Sequence, residues 1–63
     1  MTREALLREL RKLARDRDVE FEITKGRGKG SHYRVKFGNR RTTVKSGELT
    51  PTYVGLVKKQ LGI

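Results

Sequence analysis

His32-Tyr33-Arg34-Val35-Lys36-Phe37-Gly38-Asn39-Arg40-Arg41-Thr42-Thr43-Val44-Lys45 reads as a β-hairpin. Tyr33, Val35 and Phe37 alternate with His32, Arg34 and Lys36, and Thr42 and Val44 alternate with Arg41, Thr43 and Lys45. A period of two puts the apolar set on one face and the cations on the other. Gly38-Asn39 is a two-residue turn of the kind that joins antiparallel strands. Such a turn pairs Phe37 with Arg40, Val35 with Thr42 and Tyr33 with Val44. On the opposite face Arg34 meets Thr43, and His32 meets Lys45.

Working upstream, Val19, Phe21 and Ile23 alternate with Glu20, Glu22 and Thr24, which predicts a further half-buried strand. Placing Ile23 opposite Tyr33 and Phe21 opposite Val35 keeps apolar residues on one face. It also sets Glu22 against Arg34 and Glu20 against Lys36, and opposite charges across strands are mildly stabilising. This register places His32 beside Thr24 and Lys45, and it points Tyr33 toward the core.

Helical patterns flank the strands. Thr2 is a capping residue, and Leu6, Leu7, Leu10, Leu13 and Ala14 recur at helical spacing. Arg3, Arg8, Arg11, Lys12 and Arg15 fall mostly outside that stripe and read as a solvated face. Asp16-Arg17-Asp18 breaks the pattern. Downstream, Thr50-Pro51 starts a second helix with Thr50 as cap and Pro51 at its first position. Tyr53, Val54, Val57 and Leu61 share a face of it. Gly55 inside this helix suggests close approach by a strand or a partner. Gly62 is a stop signal, with Ile63 folding back on the last turn. Ser46-Gly47-Glu48-Leu49 is the connection between strand and helix.

The order is α-β-β-β-α, an α+β fold. One apolar sheet face and two apolar helix stripes predict a three-stranded antiparallel sheet with two helices on one face. Residues 1–63 make a single domain, since 63 residues cannot hold a second core. With no cysteine, disulfides and thiolate zinc sites are excluded, and one histidine argues against a histidine-rich metal site.

Sixteen Lys+Arg against seven Asp+Glu give a net charge of +9. A field of that strength on so small a domain favours a polyanion, with nucleic acid ahead of an anionic membrane surface. No apolar run is long enough to span a bilayer, and the first residues lack a signal-peptide core. The expectation is a cytoplasmic protein.

Between the first two strands lies Lys25-Gly26-Arg27-Gly28-Lys29-Gly30-Ser31, ending at His32, the only histidine. The spacing fits neither a dinucleotide fingerprint nor a P-loop. Glycines still allow close backbone approach, successive amides can form an anion nest, and Lys25, Arg27 and Lys29 add charge. The bland alternative is a solvated hairpin loop. An imidazole beside such a loop can take a proton from a ribose 2′-hydroxyl and start attack on the adjacent phosphodiester. Lysine or arginine would stabilise the developing charge.

Lys29-Gly30-Ser31-His32-Tyr33 resembles the Gly-Ser-His signature of the HicA family, small toxins of type II toxin–antitoxin systems. Leu49-Thr50-Pro51 and Val57-Lys58-Lys59-Gln60-Leu61-Gly62-Ile63 are similar to that family's C-terminal helix. The resemblance implies a double-stranded-RNA-binding-domain-like fold and mRNA interferase activity. The chain would then be a metal-independent endoribonuclease, with no cofactor, that halts translation. It implies His32 as the catalytic residue, with Gly30 and Ser31 beside it, Ser31 either orienting the imidazole or contacting phosphate. Lys25, Arg27, Lys29, Arg34 and Lys45 are the candidate RNA or phosphate contacts. The implied partners are messenger RNA and a cognate HicB-type antitoxin covering the active surface, with the toxin monomeric when free and no membrane involved. Tyr33 stands where many members carry a second histidine. Proton donation to the leaving group therefore falls to a lysine, Tyr33 or water. The competing expectation is a non-catalytic RNA-binding module that reads A-form shape.

Overall fold

A computed structural model describes residues 1–25 and 32–63. Its elements run α1 (Arg3–Arg17), β1 (Phe21–Lys25), β2 (Tyr33–Phe37), β3 (Arg40–Val44) and α2 (Pro51–Gln60). The strands form one antiparallel sheet in the order β1-β2-β3. The core joins Leu6, Leu7, Leu10 and Ala14 of α1 to Val35, Phe37 and Val44 of the sheet and Val57 and Leu61 beside them. Both helices thus cover one sheet face. No helix among the described residues is long and apolar enough to cross a membrane.

The helix ends follow from local chemistry. Thr2 Oγ1 accepts the Ala5 amide at 3.2 Å, and Thr50 Oγ1 accepts the Tyr53 amide at 3.1 Å. Each satisfies a donor that the first helical turn leaves without a partner. At the end of α1, the Val19 amide donates to Ala14 and the Asp18 amide to Arg15, with Asp18 left-handed at φ 55°. At the end of α2, Ile63 donates to Lys58 and Gly62 to Lys59, with Gly62 at φ +77°. Both are Schellman closures, and the second returns Ile63 to the core as the sequence predicts.

The β2–β3 register matches the sequence reading pair for pair, from Tyr33↔Val44 to Phe37↔Arg40. Gly38 has φ +60°, and Asn39 is not in the left-handed region. That combination suits a type II′ turn, which asks for glycine at its first central position.

The β1–β2 register differs from the expectation by two residues. Ile23 pairs with Val35 and Phe21 with Phe37, so Glu22 faces Lys36 and Thr24 faces Arg34. A slip of two preserves which face every side chain occupies, so the apolar pattern cannot detect it. The Gly38 amide donates to the Glu20 carbonyl at 2.8 Å and carries the ladder to the hairpin turn. Glu20 still reaches Lys36 diagonally, at 3.4 Å. Val19, expected on the strand, instead closes the α1 turn and is exposed.

Three further corrections concern burial. Arg3 lies inside the α1 stripe, buried beside Leu6, Leu7 and Leu10. Leu49, read as part of a connection, is fully buried, and the Thr2↔Glu48 bridge holds its segment against the start of α1. Gly55 admits no strand: a Cβ there would meet nothing within 4 Å.

The last point separates two glycines of the C-terminal segment. Gly55→Ala should raise stability by about 0.5–1 kcal/mol, because alanine is the better helix former and has room. Gly62→Ala should lower it by about 1–2 kcal/mol, since φ +77° is strained for an L side chain and the new methyl would crowd Arg40. Urea unfolding of both variants checks the opposite signs.

Candidate functional site

His32 immediately precedes β2, is exposed, and lies one step beyond the Tyr33↔Val44 pair. Continuing the ladder sets it opposite Lys45, as the hairpin reading predicts. It is not beside Thr24, because the shifted β1–β2 register pairs Thr24 with Arg34. Lys25 ends β1 opposite Tyr33, one residue from His32 along the sheet. Arg34 is exposed on the open face. Of the other candidate residues, Arg27, Lys29, Gly30 and Ser31 lie outside the described residues.

Two aromatic side chains organise this end of the sheet. The Arg3 guanidinium sits 3.7 Å from the Tyr33 ring centroid, and Lys25 Nζ lies 5.9 Å from the same centroid. Cations over a ring face are held by its quadrupole, more strongly when removed from water, as buried Arg3 is. Arg3 is also 3.8 Å from Glu4. Tyr33, half-buried against the core, therefore anchors the start of α1 next to His32. The sequence did contain the signal: Arg3 lies three, four and seven residues before Leu6, Leu7 and Leu10, on their own stripe.

Tyr53, in the first turn of α2, does the same on the other side. Its hydroxyl donates to the Thr43 carbonyl at 3.3 Å and accepts the Lys45 amide at 3.0 Å. Its ring lies 4.8 Å from Lys45 Nζ. Thr43 and Lys45 present these backbone groups on the free side of β3, where nothing else in the sheet can pair them. Periodicity placed Tyr53 on the apolar face of α2, but nothing in it revealed what the hydroxyl would bond.

These contacts bring the N-termini of both helices to the His32 end of the sheet. Helix N-termini carry partial positive charge and unpaired amides, so they favour anions nearby. Lys25, Arg3 and Lys45 add full charges, partly opposed by Glu4 and Glu48. From this end the open sheet face continues as Arg34, Lys36, Arg41 and Thr43. With Thr24 and Glu22 these side chains line a concavity of about 500 Å³. The arrangement offers an exposed imidazole at the end of a cationic surface, suited to a polyanion whose backbone runs along the sheet.

Comparison with protein-family models, with curated proteins and with solved structures finds no match.

The Tyr53 clamp has a measurable consequence. Tyr53→Phe keeps the ring and removes both hydroxyl bonds. The Lys45 amide should then exchange with solvent markedly faster, and global stability should fall by about 1 kcal/mol. Hydrogen exchange followed by NMR checks the first and urea unfolding the second.

Proposed function

We propose that this chain is a metal-independent endoribonuclease of mRNA interferase type, with His32 as general base. The observation that carries the reading is the position of His32: exposed, at the mouth of β2, where the cationic sheet face meets the N-terminal ends of both helices. The Gly-Ser-His resemblance to HicA toxins points the same way. Together they support a toxin that stops translation by cleaving messenger RNA and is restrained by an acidic antitoxin.

The chemistry proceeds within the RNA. His32 takes the proton of a ribose 2′-hydroxyl, and the oxygen attacks the adjacent phosphorus. The bond from phosphorus to the 5′-oxygen breaks, leaving a 2′,3′-cyclic phosphate and a 5′-hydroxyl. Charge gathers on the non-bridging oxygens, where Lys45, Lys25 and Arg34 stabilise it. The departing 5′-oxygen receives its proton from a lysine or from water, because Tyr33 is engaged with Arg3 and turned toward the core. The open face, with Arg34, Lys36 and Arg41, holds the flanking phosphates and makes affinity depend on salt.

The test compares wild type with His32→Ala, both in a bacterial host under a tightly controlled promoter and on purified RNA. Wild type should arrest growth and fragment messenger RNA. His32→Ala should do neither, while binding RNA within a few-fold of wild type, since the cations of the open face supply most of the phosphate attraction. RNA binding by a wild type that cuts nothing would replace this reading with the non-catalytic RNA-binding module. Equal cleavage by both proteins would remove the chemistry from His32.

A further inference from the structure

The two edges of the sheet are built differently. On β3, Tyr53 occupies the Thr43 carbonyl and the Lys45 amide, and the exposed side chains on that strand's open face are Arg41, Thr43 and Lys45. On β1, nothing among the described residues pairs with the outer edge. The ladder fixes which groups those are. The Glu20 carbonyl faces β2, so Glu22 and Thr24 face β2 as well, and the N–H and C=O groups of Phe21, Ile23 and Lys25 point away from the sheet. A row of such groups is a template for another strand.

The surroundings of this edge state what that strand must look like. Toward the helices its neighbours are Phe21 and Ile23, both half-buried, and Lys25. Above them α1 presents Arg11, whose guanidinium lies 5.9 Å from the Phe21 centroid, with Arg15 one turn further along the same flank. Toward the open face the neighbours are Glu22 and Thr24. A second copy of this chain would bring its own Arg11 flank against the first and double a charge of +9.

We infer that the outer edge of β1 is a docking site for an extended acidic strand of a partner protein. The strand's helix-side positions are apolar at the centre and carboxylate at either end, and its open-face positions are hydroxyl or basic. Backbone hydrogen bonds supply the attachment, and the alternating side chains supply the selectivity. Carboxylates meet Lys25 at one end and Arg11 at the other, while the open-face positions avoid a carboxylate opposite Glu22. The inference does not rest on cleavage by His32, and His32→Ala leaves it intact.

The probe is an acetylated and amidated heptapeptide, Thr-Glu-Thr-Val-Lys-Glu-Thr, paired antiparallel. Its valine falls opposite Ile23, its lysine opposite Glu22 and its glutamates beside Lys25 and Phe21. Titrated to millimolar concentration into nitrogen-15-labelled protein, it should shift the amides of Phe21, Ile23 and Lys25 and slow their exchange. The charge-reversed peptide should do neither. Arg11→Glu lies on an exposed face of α1 and should keep the helical circular dichroism while weakening the peptide about five- to tenfold. The inference is overturned by no shifts, by equal shifts from the reversed peptide, or by unchanged affinity in Arg11→Glu. Shifts confined to Arg34, Lys36 and Arg41 also overturn it, since the peptide would then be held on the open face by its carboxylates alone. So do concentration-dependent β1 shifts without peptide, which would make a second copy the occupant.

Discussion

A three-stranded sheet of five-residue strands has two faces, and this chain has apolar side chains for only one. Val35, Phe37 and Val44 are buried against Leu6, Leu10, Val57 and Leu61. Each fully buried aliphatic side chain contributes about 1.5–3 kcal/mol, and few are available. The rest of the structure depends on committing both helices to that face. The opposite face has to be made of side chains that tolerate water. In this sequence they are mainly cations and threonines, with Glu22 among them. The open basic surface is therefore a consequence of size as well as a candidate for function.

Covering one face with two helices also fixes where their ends lie. The start of α1 is held by Arg3 on Tyr33, and the start of α2 by Tyr53 on Thr43 and Lys45. The two helix starts fall at the same end of the sheet, the end that carries His32. The far end holds both Schellman closures and the Gly38 turn. The helix dipoles consequently add at the His32 end. The Lys58–Glu9 pair, at 2.8 Å, ties the helices to one another at their partly exposed flanks and adds little to this polarity.

Much of this was legible in the sequence because the information was local. Period-two alternation gave the faces, Thr2, Thr50 and Gly62 gave helix ends, and a two-residue turn left a single register for the β2–β3 hairpin. The β1–β2 register was not legible, because residues 26–32 separate the strands and a slip of two alters no face. Charge pairing does not distinguish the two registers. Glu20 meets Lys36 in either register, directly opposite in one and diagonally in the other. Long charged side chains reach too far to report a slip of two residues. The site divides in the same way. The hairpin pattern locates His32, Lys45 and Arg34, whereas the charge of Arg3 and the loop-like neighbours of Leu49 point away from burial. Arg3 is buried despite its charge, and Leu49 is buried as a leucine despite the polar residues around it.

The contrast between the two sheet edges turns on one hydroxyl. An edge strand left open invites pairing, and proteins close such edges with charge, proline or a covering side chain. Here the Lys45 end of β3 is covered by Tyr53, which satisfies one carbonyl and one amide from a neighbouring helix without lengthening the sheet. For β1 no equivalent residue exists among those described, because α1 lies over the face of the sheet and Arg11, 5.9 Å from the Phe21 centroid, bonds no backbone group there. A cation in that position discourages positively charged strands and leaves the hydrogen-bonding groups accessible. With a charge of +9, the chain disfavours a second copy at this edge and favours the acidic strand inferred for it.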